Sequence, residues 1–138
     1  MSERGHVIFA EDNDDFRTLL SEGLRFLGFR VSEVIDGDEA MRVLTATDPP
    51  FVVLTDLHMP TSSGYDLLAA LKHEGLEKLI RVVVLTAIPD PQIENAVLLT
   101  KPVALEKLSS ALDEQLRAAA KGIAAVRTRL QRIRQRSG

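Results

Sequence analysis

The stretch Phe51-Val52-Val53-Leu54-Thr55-Asp56-Leu57-His58-Met59-Pro60 decides how the rest of the chain is read. Four apolar residues run unbroken from Phe51 to Leu54, with Pro49-Pro50 before them and Pro60 after. A short apolar run between such breakers reads as a strand buried on both faces. Asp56 falls where that strand ends. A carboxylate at the carboxyl end of a central parallel strand stands where open α/β sheets place their chemistry. The alternative is an ordinary capping or turn Asp.

Outward from this strand, apolar runs alternate with helical periods. His6 to Ala10 is a first strand, followed at once by Glu11-Asp12-Asn13-Asp14-Asp15. Phe16, Leu19, Leu20, Leu24 and Leu27 then recur at spacings of three and four, with Asn13 or Asp14 as cap and Gly28 as stop. Val31 to Ile35 is a second strand, and Asp36-Gly37-Asp38-Glu39 turns into a helix through Ala40, Val43 and Leu44. After the central strand and a loop from Met59 to Gly64, Tyr65 to Glu74 reads as a third helix. Ile80 to Thr86 is a fourth strand and Ala96 to Thr100 a short fifth one. From Ala104 onward the chain is helical again. This alternation predicts a parallel sheet with helices on both faces. One connection is too short for the pattern: 87–95, with Pro89 and Pro91, leaves room for no more than one helical turn. The sheet beside it is expected to be less covered than usual.

The 138 residues make one domain with a single core, and 45% apolar against 27% charged residues exclude a disordered chain. Without cysteine there are no disulfides and no thiolate metal sites. The apolar runs are too short to span a bilayer and Met1-Ser2-Glu3-Arg4 is no signal peptide, so a cytoplasmic location is expected. The charge is split. Residues 1–116 carry all 20 acids and a net −10, whereas 117–138 carry Arg117, Lys121, Arg127, Arg129, Arg132, Arg134 and Arg136, a net +7.

Polar groups stand at the strand ends among apolar neighbours: Glu11-Asp12, Thr55-Asp56, Thr86 and Thr100-Lys101-Pro102. In a parallel sheet these ends share one edge. Three carboxylates brought together repel unless a cation neutralises them. Oxygen ligands without His or Cys suit Mg²⁺. With Lys101 and the Thr86 hydroxyl nearby, the set forms a receptor for a phosphoryl group. No Ser, Cys or His arrangement suggests an independent hydrolase.

At this point the residues resemble a known family. Val7-Ile8-Phe9-Ala10-Glu11-Asp12-Asn13, Asp56-Leu57-His58-Met59-Pro60 with Gly64, Val84-Leu85-Thr86-Ala87 and Leu99-Thr100-Lys101-Pro102 are similar to the receiver domain of two-component response regulators, over roughly residues 6 to 120. The resemblance implies a flavodoxin-like, doubly wound α/β fold with a five-stranded parallel sheet in the order 2-1-3-4-5. It implies that Asp56 accepts a phosphoryl group from a phosphohistidine of a partner kinase or phosphotransfer protein. Asp12, Glu11, the Asp56 carboxylate and the His58 backbone carbonyl would hold Mg²⁺. Lys101 would pair with a phosphoryl oxygen and the Thr86 hydroxyl would move in to bond another. The Lys101–Pro102 peptide would be cis. The His58 ring is expected to point to solvent.

Two departures stand beside the resemblance. The fourth helix of the family, between the Thr strand and the last strand, is nearly absent, and its usual aromatic three residues before the Lys is Leu98. The tail is the second. Leu116, Ala119, Ile123, Val126, Leu130 and Ile133 alternate at three and four, after Leu105, Leu108 and Leu112. This reads as the last helix running past a 1–116 receiver into a basic 117–138 extension, a two-stranded coiled coil and hence a homodimer. Gly122 weakens that helix by roughly 1 kcal/mol. The tail's basic residues form a solvated face or bind acidic surface, and no known DNA-binding motif accompanies them.

The expectation is a stand-alone receiver, phosphorylated on Asp56 with Mg²⁺, that signals through protein contacts. It is a phosphoacceptor catalysing its own phosphotransfer and dephosphorylation rather than a conventional enzyme. The rivals are a receiver-shaped interaction module that works without phosphate and a regulator binding nucleic acid through the basic tail.

Overall fold

The computed structural model describes residues 4–137, of Ser137 the backbone alone. Five strands, β1 (Gly5–Ala10), β2 (Phe29–Val34), β3 (Val52–Thr55), β4 (Arg81–Thr86) and β5 (Val97–Thr100), form one parallel sheet in the order β2-β1-β3-β4-β5. The helices are α1 (Asp14–Phe26), α2 (Gly37–Thr45), α3 (Gly64–His73), α4 (Leu105–Lys121) and α5 (Ile123–Ser137). This is the flavodoxin-like architecture expected, and the segment between β4 and β5 holds no helix. No helix among the described residues is long and apolar enough to cross a membrane.

The unbroken apolar runs follow from burial on both sides. Successive strand residues point to opposite faces. Val7, Phe9, Val52, Leu54, Val83 and Leu85 join one core cluster with α1 and α4, while Ile8, Ala10, Val53, Val82 and Val84 join the other with α2 and α3. The helices start at short polar caps: Asn13 accepts from the Phe16 N–H, Asp36 from Glu39, and Ser63 from Asp66 in a capping box.

The tail differs from the continuous helix expected. The long helix expected after β5 is present as α4, but it stops at Lys121, and Gly122 separates it from a further helix, α5. Val126, Leu130 and Ile133 are buried in the cluster shared with α2 and α3, so the seam expected to meet a partner helix faces the chain's own core. The α2–α3 face lacks one crossover helix, and leaving these apolar residues in water would cost about 1.5–3 kcal/mol each.

The arginines of α5 are not a purely solvated face either. Arg134 donates to the Thr45 and Thr47 carbonyls, Arg129 to the Glu74 carbonyl, and Arg136 pairs with the Glu74 carboxylate. These carbonyls end α2 and α3, where backbone acceptors lack intrahelical partners and the helix dipole favours a cation. The helices run opposite to the strands, so α5 crosses the sheet edge remote from Asp56. Arg117, Lys121, Arg127 and Arg132 remain exposed.

Leu130 separates docking from extension. Leu130→Ala is expected to lower unfolding stability by about 3 kcal/mol in urea titration. A Leu on a solvated extension would change the midpoint little.

Candidate functional site

Register brings the strand ends together. Ala10 lies beside Thr55, Thr55 beside Val84, and Thr86 beside Thr100. The chain leaves each strand in the same direction: the Asp56 N–H bonds the Ala10 carbonyl at 3.3 Å and the Lys101 N–H bonds the Thr86 carbonyl at 2.8 Å. The Lys101–Pro102 peptide is cis, as is Pro49–Pro50.

Lys101 Nζ lies 2.9 Å from Glu11 Oε1 and 3.0 Å from Asp56 Oδ2. One ammonium thus serves two carboxylates ninety and forty-five positions away in sequence. The second Asp56 oxygen, Oδ1, accepts from the Leu57 N–H at 2.6 Å and the His58 N–H at 3.2 Å. Glu11 Oε2 accepts from the Asn13 N–H at 3.2 Å. Gly64 closes the loop tightly: its N–H bonds the Leu57 carbonyl at 3.0 Å, and any Cβ there would overlap the Asp56 carbonyl. Thr86 is fully buried, and its hydroxyl oxygen accepts from the Ile88 N–H at 3.3 Å.

Burial pushes the Glu11 carboxyl up, and Lys101 only partly offsets it. Burial pushes Asp56 the same way, but there the Lys101 hydrogen bond, the His58 N–H, the Lys101 charge and the Thr86 hydroxyl outweigh it and hold the carboxyl below its usual range. Burial lowers Lys101, yet its bonds to Glu11 and Asp56 win and raise it above the ordinary lysine value. The folded Asp56 therefore adds stability at neutral pH that is lost as pH falls through its depressed pKa. Lys101 adds stability that is lost only as pH rises through its raised one.

Glu11, Asp56, Thr86 and Lys101 converge as the sequence suggested. Asp12 and His58 are exposed, and the His58 ring lies edge-on to Tyr65, 5.9 Å between centroids. Among the described residues no group of three His, Cys, Asp or Glu side chains surrounds one point. The donor set still fits a hard cation: Mg²⁺ takes one or two carboxylates and keeps water, and Glu11 and Asp56 already face a common positive charge. Sequence reasoning missed Phe16, whose ring centroid is 4.3 Å from Lys101 Nζ. Its helical spacing marked it as a core residue, and nothing local says that a cation lies against it.

A family model described as the response regulator receiver domain matches residues 7–113. The chain belongs to the response regulator receiver domain family. Receiver domains are phosphoacceptors of two-component systems and generally bind Mg²⁺ at their acidic pocket. This receiver is 29% identical over 121 residues to a probable chemotaxis protein CheY of Rhizobium etli, covering 82% of this chain and 93% of that protein. It is 40% identical over 81 residues to the transcriptional regulatory protein PrrA of Mycobacterium leprae, covering 59% of this chain but 34% of that protein. Among solved structures, a CheY-like receiver domain protein from Methanospirillum hungatei superimposes with a TM-score of 0.74 at 26% identity, covering 86% of this chain and 99% of the other.

Lys101→Met removes the charge that both carboxylates share. Glu11 and Asp56 are both expected to titrate at higher pH than in the parent, followed by carboxyl carbon NMR. An unmoved Asp56 would mean that the ammonium does not sit between them.

Proposed function

We propose that this receiver accepts a phosphoryl group on Asp56 from a phosphohistidine of a partner kinase or phosphotransfer protein. The observation that carries the reading is the single Lys101 ammonium bonded to both Glu11 and Asp56 at the carboxyl edge of the sheet. Asp56 is held ionised, as a nucleophile requires. One of its oxygens attacks phosphorus, the phosphorus–nitrogen bond to the histidine breaks, and the imidazole leaves with the electron pair. Lys101 would stay with the transferred group as counter-charge, and the Leu57 and His58 N–H groups orient the carboxylate. Glu11, Asp12, the Asp56 carboxylate and the His58 carbonyl would hold Mg²⁺, which supplies charge neutralisation to the phosphoryl oxygens. Water attack on the acyl phosphate would return the free carboxylate. On this reading residues 1–116 are the receiver unit, 117–138 an addition to it, and the protein works in the cytoplasm.

The readout is the 87–95 loop, which replaces the missing helix. Two links support this. The Thr86 hydroxyl holds the Ile88 N–H, so a Thr86 turned toward a phosphoryl group would release it. The Tyr65 hydroxyl donates to Asp90 at 3.0 Å, while the Tyr65 ring meets His58, two residues beyond Asp56. Protein contact through this surface is the favoured output. A second reading, an interaction module that works without phosphate, is favoured by the missing helix and by Leu98 in place of an aromatic. A homodimer through the last helix would need α5 to leave its own core.

Incubation with acetyl phosphate and Mg²⁺ is expected to add one phosphoryl group by mass spectrometry, and Asp56→Asn to abolish it. A parent that gains no mass and binds no beryllofluoride would favour the module. With beryllofluoride, backbone NMR shifts are expected to concentrate in 87–95; a silent loop with shifts on another face would rule out the loop as readout.

A further inference from the structure

The three-and-four spacing of apolar residues crosses the α4–α5 junction without a change of phase: Leu116, Ala119, Ile123, Val126, Leu130, Ile133. Two helices packed into different core clusters have no need to share one stripe, whereas a single straight helix does. Only Gly122 interrupts the helix. Its backbone, at φ −105° and ψ 15°, leaves the helical region in both angles but stays at negative φ, so rotation at this one residue would restore the helix. Its N–H bonds the Ala119 carbonyl, three residues back, at 3.1 Å, and its carbonyl accepts from the Val126 N–H, four residues on, at 3.2 Å, so the helical bonding tightens here and resumes at once. A side chain at this position would meet nothing within 4 Å. Neither space nor a left-handed conformation therefore requires glycine here.

We propose that α4 and α5 also exist as one continuous helix, and that in this form α5 docks on a second copy of the chain, which returns its own α5 in exchange. The continuous helix would be about 50 Å long and would carry α5 past the edge of its own domain. The occupant of the vacated surface is a second copy because that surface is already shown to be complementary to α5. Val126, Leu130 and Ile133 would enter the partner's apolar cluster. Arg129 and Arg134 would find the same carbonyls at the ends of its α2 and α3, and Arg136 the same carboxylate. Closed and exchanged forms bury the same surfaces, so they differ in hinge conformation and in the entropy of association. A one-residue hinge is the kind that favours exchange. The proposal is independent of phosphorylation at Asp56.

The absence of native cysteine permits a direct test on the full chain. Leu79 and Ala125 line one surface depression between α5 and the segment before β4. Leu79→Cys with Ala125→Cys, treated with a short bis-maleimide, reports whether α5 lies on its own chain or another. The pair is made in the parent and with Gly122→Ala, which favours the straight helix at both hinges and is expected to raise the dimerisation constant about tenfold. Interchain cross-links that increase with protein concentration in either background support the exchange. Cross-links confined to one chain at every concentration in both overturn it, even if light scattering shows dimers.

Discussion

A parallel sheet buried on both faces has to be covered on both faces, and the structure is organised by how this chain meets that demand with one crossover helix missing. Val53, Val82 and Val84 leave no polar side to turn toward water. On one side α1 and α4 suffice. On the other, α2 and α3 cover only part of the sheet, and α5 lies across their carboxyl ends, where Val126, Leu130 and Ile133 close the same core cluster from below. The arginines that make the tail basic then complete the helix ends it crosses. Apolar burial and dipole compensation act on the same fifteen-residue helix.

The same parallel arrangement produces the site. Strands in register deliver their carboxyl ends to one edge, where Glu11 and Asp56 would repel each other in a half-buried pocket. The Lys101 ammonium, packed over the Phe16 ring, makes their proximity tolerable. Burial acts on both acids in the same direction, yet they end on opposite sides of their usual values. Asp56 collects two backbone N–H donors besides the lysine, and Glu11 only one. The carboxylate proposed as nucleophile is thus the better solvated of the pair, with protein donors taking the place of water.

Fold and site are therefore coupled from opposite edges. Thr86, Tyr65 and Gly64 join the pocket to the 87–95 loop and to α3 on the carboxyl side. Arg129, Arg134 and Arg136 hold the far ends of α2 and α3. The helices that flank the Asp56 loop are tied to its neighbours at one end and to α5 at the other, and the 87–95 segment beside them leaves Ile88 exposed.

The strands, their buried character and the convergence of Glu11, Asp56, Thr86 and Lys101 were legible in the sequence because they rest on local signals: apolar runs of strand length and polar residues at their ends. The missing crossover helix was legible for the same reason, since 87–95 is too short and carries two prolines. Three things were not. The fate of the seam depended on which apolar surface lay within reach, and a periodicity of three and four reads alike whether its partner is another chain or the chain's own core. The role of the tail arginines depended on carbonyls more than fifty positions away. The place of Phe16 against Lys101 depended on two elements meeting across the sheet edge. Sequence periodicity specifies which side of an element is apolar; only the packed structure decides what that side touches, because contact energy belongs to pairs of surfaces.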